Sequence, residues 1–198
     1  RSVYCLAYVS ESNEADLISR ARAGEAAAWE ALVHNHEERV FRLAYLMLAD
    51  PDEAQDVAQD TFIRAHQHLS SFDNQRPLQP WLLRITANLA RNRRRSIGRY
   101  WFALQRLGRP DLELRRTTEA SALNREGLEA LWRAVRRLSE PDQRVIYLRY
   151  FLELTEAETA AALEVAPGTV KSRLHRALAR LRTIIERDFP ELREGLYA

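Results

Sequence analysis

Apolar residues recur along the chain at three- and four-residue spacing in successive blocks, the pattern of helices that bury one face. Trp29, Leu32, Val33, His36, Val40, Leu43, Ala44 and Met47 form the longest stripe. A second helix, over 52–69, carries Ala54, Val57, Ala58, Phe62 and Ala65, and a third carries Trp81, Leu82, Ile85, Leu89 and Ala90. The pattern resumes with Leu128, Leu131, Trp132, Val135 and Leu138. It continues over 142–152 with Val145, Ile146 and Leu148, and with Tyr150 and Phe151 as further candidates. Val170, Leu174, Leu178 and Leu181 make a last stripe. A short helix over 13–22, stopped by Gly24, precedes them all. The expected fold is all-α.

Helix-start chemistry punctuates these blocks. Asp50-Pro51-Asp52-Glu53 offers a capping Asp, a Pro at the first helical position and a Glu able to close a capping box. Thr155 and Glu158 are a second capping box, opening a short helix that ends near Leu163. Pro167 then suits the first turn of another, with Ala166 at the cap, where a hydroxyl would add ~1 kcal/mol. Between 70 and 80 the run SSFDNQRPLQP reads as a turn-rich loop, with Pro80 opening the next helix. Residues 107–123 lose periodicity around Gly108 and Pro110. Two helical domains follow: a tail at 1–12, a bundle of about four helices at 13–104, a flexible linker at 105–125 and a four-helix unit at 126–198.

Charge sharpens this division. The net charge of +2 sums −7 over residues 1–75, +9 over 76–116 and zero over 117–198. An acidic front and a basic middle point to different partner surfaces. All cations but Lys171 are Arg, which forks onto phosphates and bases. Cys5 is the single cysteine, which excludes a disulfide framework and cysteine-rich zinc sites. No apolar run nears the ~18 residues of a membrane span, so no membrane insertion is expected. His34 and His36 stand two apart on a helix and make a poor metal pair.

Leu154–Arg182 carries the sharpest candidate chemistry. Two helices, a brief turn and a basic second helix make the pattern of a helix-turn-helix DNA reader. From Pro167 to Arg182 there are five Lys/Arg and no acid. Lys171, Ser172, Arg173, His175, Arg176 and Arg180 occupy the face opposite the apolar stripe. The bland alternative is a helical hairpin with a solvated basic face. Upstream, Arg93-Arg94-Arg95 and Arg99-Tyr100-Trp101-Phe102 interleave cations with aromatics, a mixture that suits single-stranded nucleic acid. A plain helix end, its Arg complementing the dipole, is the alternative there. Asp56, Gln59, Asp60 and Arg64 line the outer face of the 52–69 helix; composition alone reads them as solvated.

The order of these motifs resembles the extracytoplasmic-function (ECF) sigma factors, bacterial transcription initiation subunits of the sigma-70 family. The stretch 50–62, DPDEAQDVAQDTF, is similar to the family's helix that grips the coiled coil of the polymerase β′ subunit. The resemblance implies that Asp56, Gln59, Asp60 and Arg64 bind core polymerase. Phe72 through Asn88 is similar to the −10-reading segment. There Asp73, Asn74, Gln75 and Arg76 would shape a pocket for a flipped base, and Arg84, Asn88 and Arg91 would contact the strand. GTVKSRLHRA, 168–177, resembles the −35-reading helix, with Thr169, Lys171, Ser172, Arg173, His175 and Arg176 at the duplex. Leu78 stands where the family often has an aromatic, and Thr159 where it has a larger β-branched residue.

The resemblance further implies the partners: core RNA polymerase through its β′ coiled coil and β flap, promoter DNA (duplex at −35, single-stranded at −10) and an anti-sigma factor wedged between the domains. It implies a cytoplasmic site of action, no cofactor and no catalysis. A stand-alone helix-turn-helix regulator is the second reading, although nothing in 16–95 resembles a dimerisation or sensing domain. For an enzyme there is no glycine-rich phosphate loop, metal spacing or Ser/His/Asp arrangement.

Overall fold

The computed structural model describes residues 11–106, 125–189 and 192, with side chains described within 14–96 and 129–189. Every regular element among them is helical. The chain divides into two compact units, Arg1–Ser96 and Ile97–Ala198. Most of the expected 1–12 tail, the 107–123 linker and the Arg99–Phe102 side chains lie outside the described residues.

Four helices build the first unit: α1 (Glu11–Arg22), α2 (Ala26–Leu48), α3 (Pro51–His68) and α4 (Leu78–Arg106). Gly24 turns the chain between α1 and α2 at φ +91°, a backbone region that favours glycine. The long α2 buries Leu32, His36, Val40, Leu43, Ala44 and Met47, as its spacing predicts, and leaves Val33 half-buried. It ends at Ala49, left-handed at φ 59°, whose N–H bonds the Tyr45 carbonyl. Helix α3 buries Ala54, Val57, Ala58, Thr61 and Ala65, four of them small enough for close helix packing. Thr61 Oγ1 bonds the Val57 carbonyl at 2.8 Å, Thr86 Oγ1 bonds the Leu82 carbonyl at 2.9 Å, and the two hydroxyls meet at 3.3 Å. Buried hydroxyls are thus satisfied within their own helices, and they touch where α3 and α4 cross.

Two sequence expectations change here. Helix α4 begins at Leu78, not Pro80, because Pro80 in the first turn has no N–H to lose and Leu78 finds a partner for its own. Asp50 caps α3, accepting the Asp52 and Glu53 N–H groups at 3.0 Å. Glu53 does not reach back to close the box: Arg93 of α4 takes its carboxylate.

The second unit contains α5 (Arg125–Arg136), α6 (Glu140–Ile146), a π turn (Tyr147–Phe151), α7 (Glu156–Leu163) and α8 (Pro167–Asp188). A continuous helix over 142–152 is expected from the sequence, but the chain widens instead, with Leu152 N–H bonding the Tyr147 carbonyl at 3.0 Å. The wider turn changes the facing of the aromatics. Tyr147 is buried between Trp132 (6.1 Å) and Phe151 (6.1 Å), whereas Tyr150 points outward, 57% exposed. Helix α8 buries Val170, Ala177, Leu181 and Ile185. Leu178 lies at the edge of that stripe, 36% exposed; small Ala177 takes the inward place.

His36 is buried and faces Glu14, Nε2 to Oε1 at 3.0 Å, while His34 is exposed beside Glu37. The hydrogen bond from His36 holds the Glu14 carboxyl below its ordinary range; burial opposes it, and the charge of His36 and the Leu78 N–H add to it. Folding therefore favours the carboxylate. Its contribution is complete above the ordinary glutamate value and is lost as pH falls through the lower native one. Urea unfolding followed by tryptophan fluorescence is expected to weaken between pH 6 and pH 3, and Glu14→Gln to flatten that slope.

Candidate nucleic-acid and partner interface

The outer face of α3 follows from how its inner face is spent. With positions 54, 57, 58, 61 and 65 inward, Asp56, Gln59, Asp60, Ile63 and Arg64 are exposed. Ile63 is 55% exposed; the sequence reading omitted it, although seven-residue spacing from Asp56 marks the same face. Arg93 reaches this face from α4, pairing with Glu53 and, at 3.0 Å, with Asp56. Its guanidinium is held more firmly charged, chiefly by the Glu53 hydrogen bond, with the charges of Glu53, Asp56 and Asp60 contributing. Arg93 was also missed as an organiser of α3, since its partners lie 40 and 37 residues away. Asp56 thus sits in an ion pair, leaving Gln59 and Asp60 as the polar centre of the display.

The loop after the short 3-10 turn Leu69–Ser71 is ordered by Asp73. Its Oδ1 accepts the Gln75 N–H at 3.1 Å, its carbonyl accepts the Arg76 N–H at 3.0 Å, and its Oδ2 pairs with Arg76 Nε at 3.3 Å. Asp73, Asn74, Gln75 and Arg76 are all exposed. Phe72 is buried against Trp81, centroids 4.7 Å apart, so Trp81 belongs to the core edge. Arg84, Asn88 and Arg91 follow at four- and three-residue spacing, forming a half-buried polar strip along α4. Arg91 Nη2 donates to Asn88 Oδ1 at 2.8 Å, and its buried Nε has no hydrogen-bond partner. The strip leads to exposed Arg94 and Arg95.

In the second unit the helix-turn-helix is built from its caps. The Thr155 capping box is complete, with Glu158 N–H to Thr155 Oγ1 at 3.2 Å and Thr155 N–H to Glu158 Oε2 at 2.8 Å. Glu164, left-handed at φ 54°, ends α7. Ala166 caps α8 without a side-chain bond, Pro167 follows, and the first turn holds no acid. The Thr169 and Val170 N–H groups bond the Ala166 carbonyl, so the helix presents the Gly168 N–H and its positive dipole end to an anion. Lys171, Ser172, His175 and Arg176 are exposed; Thr169 and Arg173 are half-buried. Arg180 departs from the face assigned to it. It pairs with Asp142, whose side chain is 5% exposed, so its charge goes to joining α6 and α8. Arg182 likewise pairs with Glu186 at 2.8 Å.

Among the described residues no cluster of three His, Cys, Asp or Glu could hold a metal, and no helix is long and apolar enough to cross a membrane.

Both helical units have counterparts in known proteins. Residues 32–100 match Sigma-70 region 2, and residues 128–181 match Sigma-70 region 4. The chain is 30% identical to the ECF RNA polymerase sigma factor SigW of Bacillus subtilis, covering 83% of this chain and 92% of that one. The chain belongs to the ECF sigma factor family. It is 33% identical to the ECF RNA polymerase sigma factor SigL of Mycobacterium tuberculosis over 85% of its length and 95% of that protein's. The structure of CnrH in complex with the cytosolic domain of CnrY superposes with a TM-score of 0.67 at 26% identity, covering 88% of this chain and 98% of that one. The fold is also shared with the sigma factor RpoE of Bartonella quintana, solved with the anti-sigma factor NepR (TM-score 0.61, 24% identity, 80% and 97% covered). As an ECF sigma factor the protein is a transcription initiation factor that binds core RNA polymerase and promoter DNA. The operator-binding regulator is thereby set aside.

The bare cap of α8 gives a local prediction. Ala166→Ser supplies an oxygen for the orphan Gly168 N–H and is expected to stabilise the C-terminal unit by about 1 kcal/mol. Amide hydrogen exchange of the full chain, read over residues 140–188, measures it.

Proposed function

We propose that the sigma factor divides promoter recognition between its units, at about 13–104 and 126–198, joined through 105–125. Asp56, Gln59, Asp60 and Arg64 on α3 dock on the β′ coiled coil of core polymerase. Asp73, Asn74, Gln75 and Arg76 hold a flipped −10 base, and Arg84, Asn88 and Arg91 hold the single strand beside it. Thr169, Lys171, Ser172, Arg173, His175 and Arg176 read the −35 duplex, while the second unit meets the β flap. The protein acts in the bacterial cytoplasm, carries no cofactor and performs no catalysis itself; the polymerase supplies the chemistry.

One observation carries this reading. The chain's three family-like stretches carry exposed or half-buried groups of three different chemistries: an acidic and amide face, a polar loop with an arginine strip, and a basic helix face. Each chemistry suits its partner. Cations on α8 neutralise phosphate and fork onto guanine. The polar edges of the loop can offset the few kcal/mol that unstacking a base costs. An anti-sigma factor that covers these faces together would silence the protein in one step, and CnrH, bound to a cytosolic domain of CnrY, offers the analogy.

Run-off transcription with core polymerase and bacterial genomic fragments tests the whole. Defined starts are expected only when the sigma factor is added; none appearing with a folded chain overturns the reading. On the promoters so mapped, Lys171→Ala and Arg176→Ala are each expected to lower −35-dependent initiation about tenfold while core affinity holds. Asp60→Ala is expected to weaken core binding and spare −35 recognition. Equal losses in both assays for every variant would mean that the faces are not separate.

A further inference from the structure

Helix α1 lies outside the stretch matched to Sigma-70 region 2, which begins at residue 32. Two of its side chains make long-range polar contacts with the two ends of one loop. Arg22 donates through Nε to the Leu69 carbonyl at 2.8 Å and through Nη2 to the Phe72 carbonyl. Glu14, about two turns earlier, accepts the Leu78 N–H on Oε2 at 3.2 Å and holds His36 on Oε1. Leu69 and Phe72 end the exit from α3, and Leu78 opens α4. One helix therefore grips residues 73–77 from both sides. Between its polar anchors, Leu17, Ile18 and Ala21 enter the same apolar cluster as Leu69, Phe72 and Leu78. Arg39 of α2 adds a bond to Gln79, one residue into α4.

We infer that α1 is a splint for the promoter-reading loop, with Glu14 and Arg22 as positioning residues that fix the ends of 73–77 and so the shape offered to a −10 base. This rests on the −10 reading of residues 73–76 proposed above. The physics is preorganisation. A loop free to wander must be ordered when the base enters, and that cost is subtracted from the energy available for capture. Base capture already has unstacking to offset, so the loss falls on selectivity. The planar guanidinium of Arg22 reaches two carbonyls at once with donors in a fixed fork; a lysine ammonium lacks that fork. Glu14 acts through an oxygen, and its charge is not required at Leu78.

The test uses holoenzyme containing the full chain and the promoters mapped by run-off. Open-complex rates are measured on the matched promoter and on versions with each −10 base replaced in turn, and the ratio of matched to replaced rates is the readout. Arg22→Ala and Glu14→Ala are expected to shrink that ratio about tenfold, the factor a charge-assisted hydrogen bond carries, with core affinity unchanged. Glu14→Gln, which keeps an oxygen for the Leu78 N–H, is expected to retain most of it. If Arg22→Ala fails to fold, Arg22→Lys, which keeps the charge and most of the packing but not the fork, is expected to show the same loss. Rates that fall equally on matched and replaced promoters, leaving the ratio intact, overturn the splint. Asn74→Ala and Asp73→Ala separate it from its premise. If they shrink the ratio while the α1 variants do not, the splint is wrong and the loop still reads the base. If none of the variants changes the ratio, the loop does not read the −10 base and the splint falls with that reading.

Discussion

Close packing of α3 through small side chains is the constraint on which the first unit depends. Ala54, Ala58, Thr61 and Ala65 are all nearly or wholly buried, so the backbones of neighbouring helices can approach closely. A larger residue at any of them would force the helices apart, since interiors are already close-packed. The close approach does more than hold the bundle. It lets Thr61 and Thr86 meet and lets Arg93 reach Glu53 and Asp56. With Ala54, Val57, Ala58, Thr61 and Ala65 turned inward, α3 turns the face carrying Gln59, Asp60 and Ile63 outward. Presentation of the proposed partner surface is a consequence of packing on the other side.

Charged residues divide into those spent on the fold and those left for partners, and exposure alone does not sort them. Arg180 has an exposed side chain yet pairs with a buried Asp142; Arg22 is exposed by residue yet satisfies two backbone carbonyls. The partner of each cation decides. Where it is a buried carboxylate or a backbone carbonyl, removing the cation strands a polar group away from water, a cost of about 1–3 kcal/mol. Exposed pairs such as Arg182–Glu186 contribute little to stability, but they still lower the charge available to DNA.

Much of this was legible in the sequence where the governing interaction is local. Asp50 and Pro51, Thr155 and Glu158, and Pro167 each act within one helical turn, and each starts a helix at the residue that local chemistry selects. The basic face of α8 was legible for the same reason. What escaped the sequence depends on contacts far along the chain. Glu53 has the spacing of a box-closing residue, but a guanidinium 40 residues away competes better for it. Pro80 looks like a helix start until Glu14, 64 residues earlier, supplies an acceptor for the Leu78 N–H. Tyr150, a candidate for burial, points outward and Tyr147 fills the core because a π turn shifts the phase of the helix, and an apolar run cannot announce that shift. Leu178 stands at the edge of its stripe, with Ala177 in the inward place.

The economy of α8 bears on why such a protein works as a polymerase subunit. With Arg180 and Arg182 engaged at Asp142 and Glu186, Lys171, Arg173 and Arg176 remain as the cations of its N-terminal half. Each phosphate neutralised releases about one counterion, so the three contacts proposed for them would give modest affinity that salt erodes readily. The helix also lacks a side-chain cap, and its leading turn is held by Pro167, backbone bonds and the Ser172 hydroxyl, which donates to the Thr169 carbonyl at 3.2 Å. A lone C-terminal unit is therefore a weak reader. Once core polymerase carries both units, each recognition event follows the other within one complex, at an effective concentration set by the chain between them. Modest contacts then suffice for selection, because two independent readings multiply.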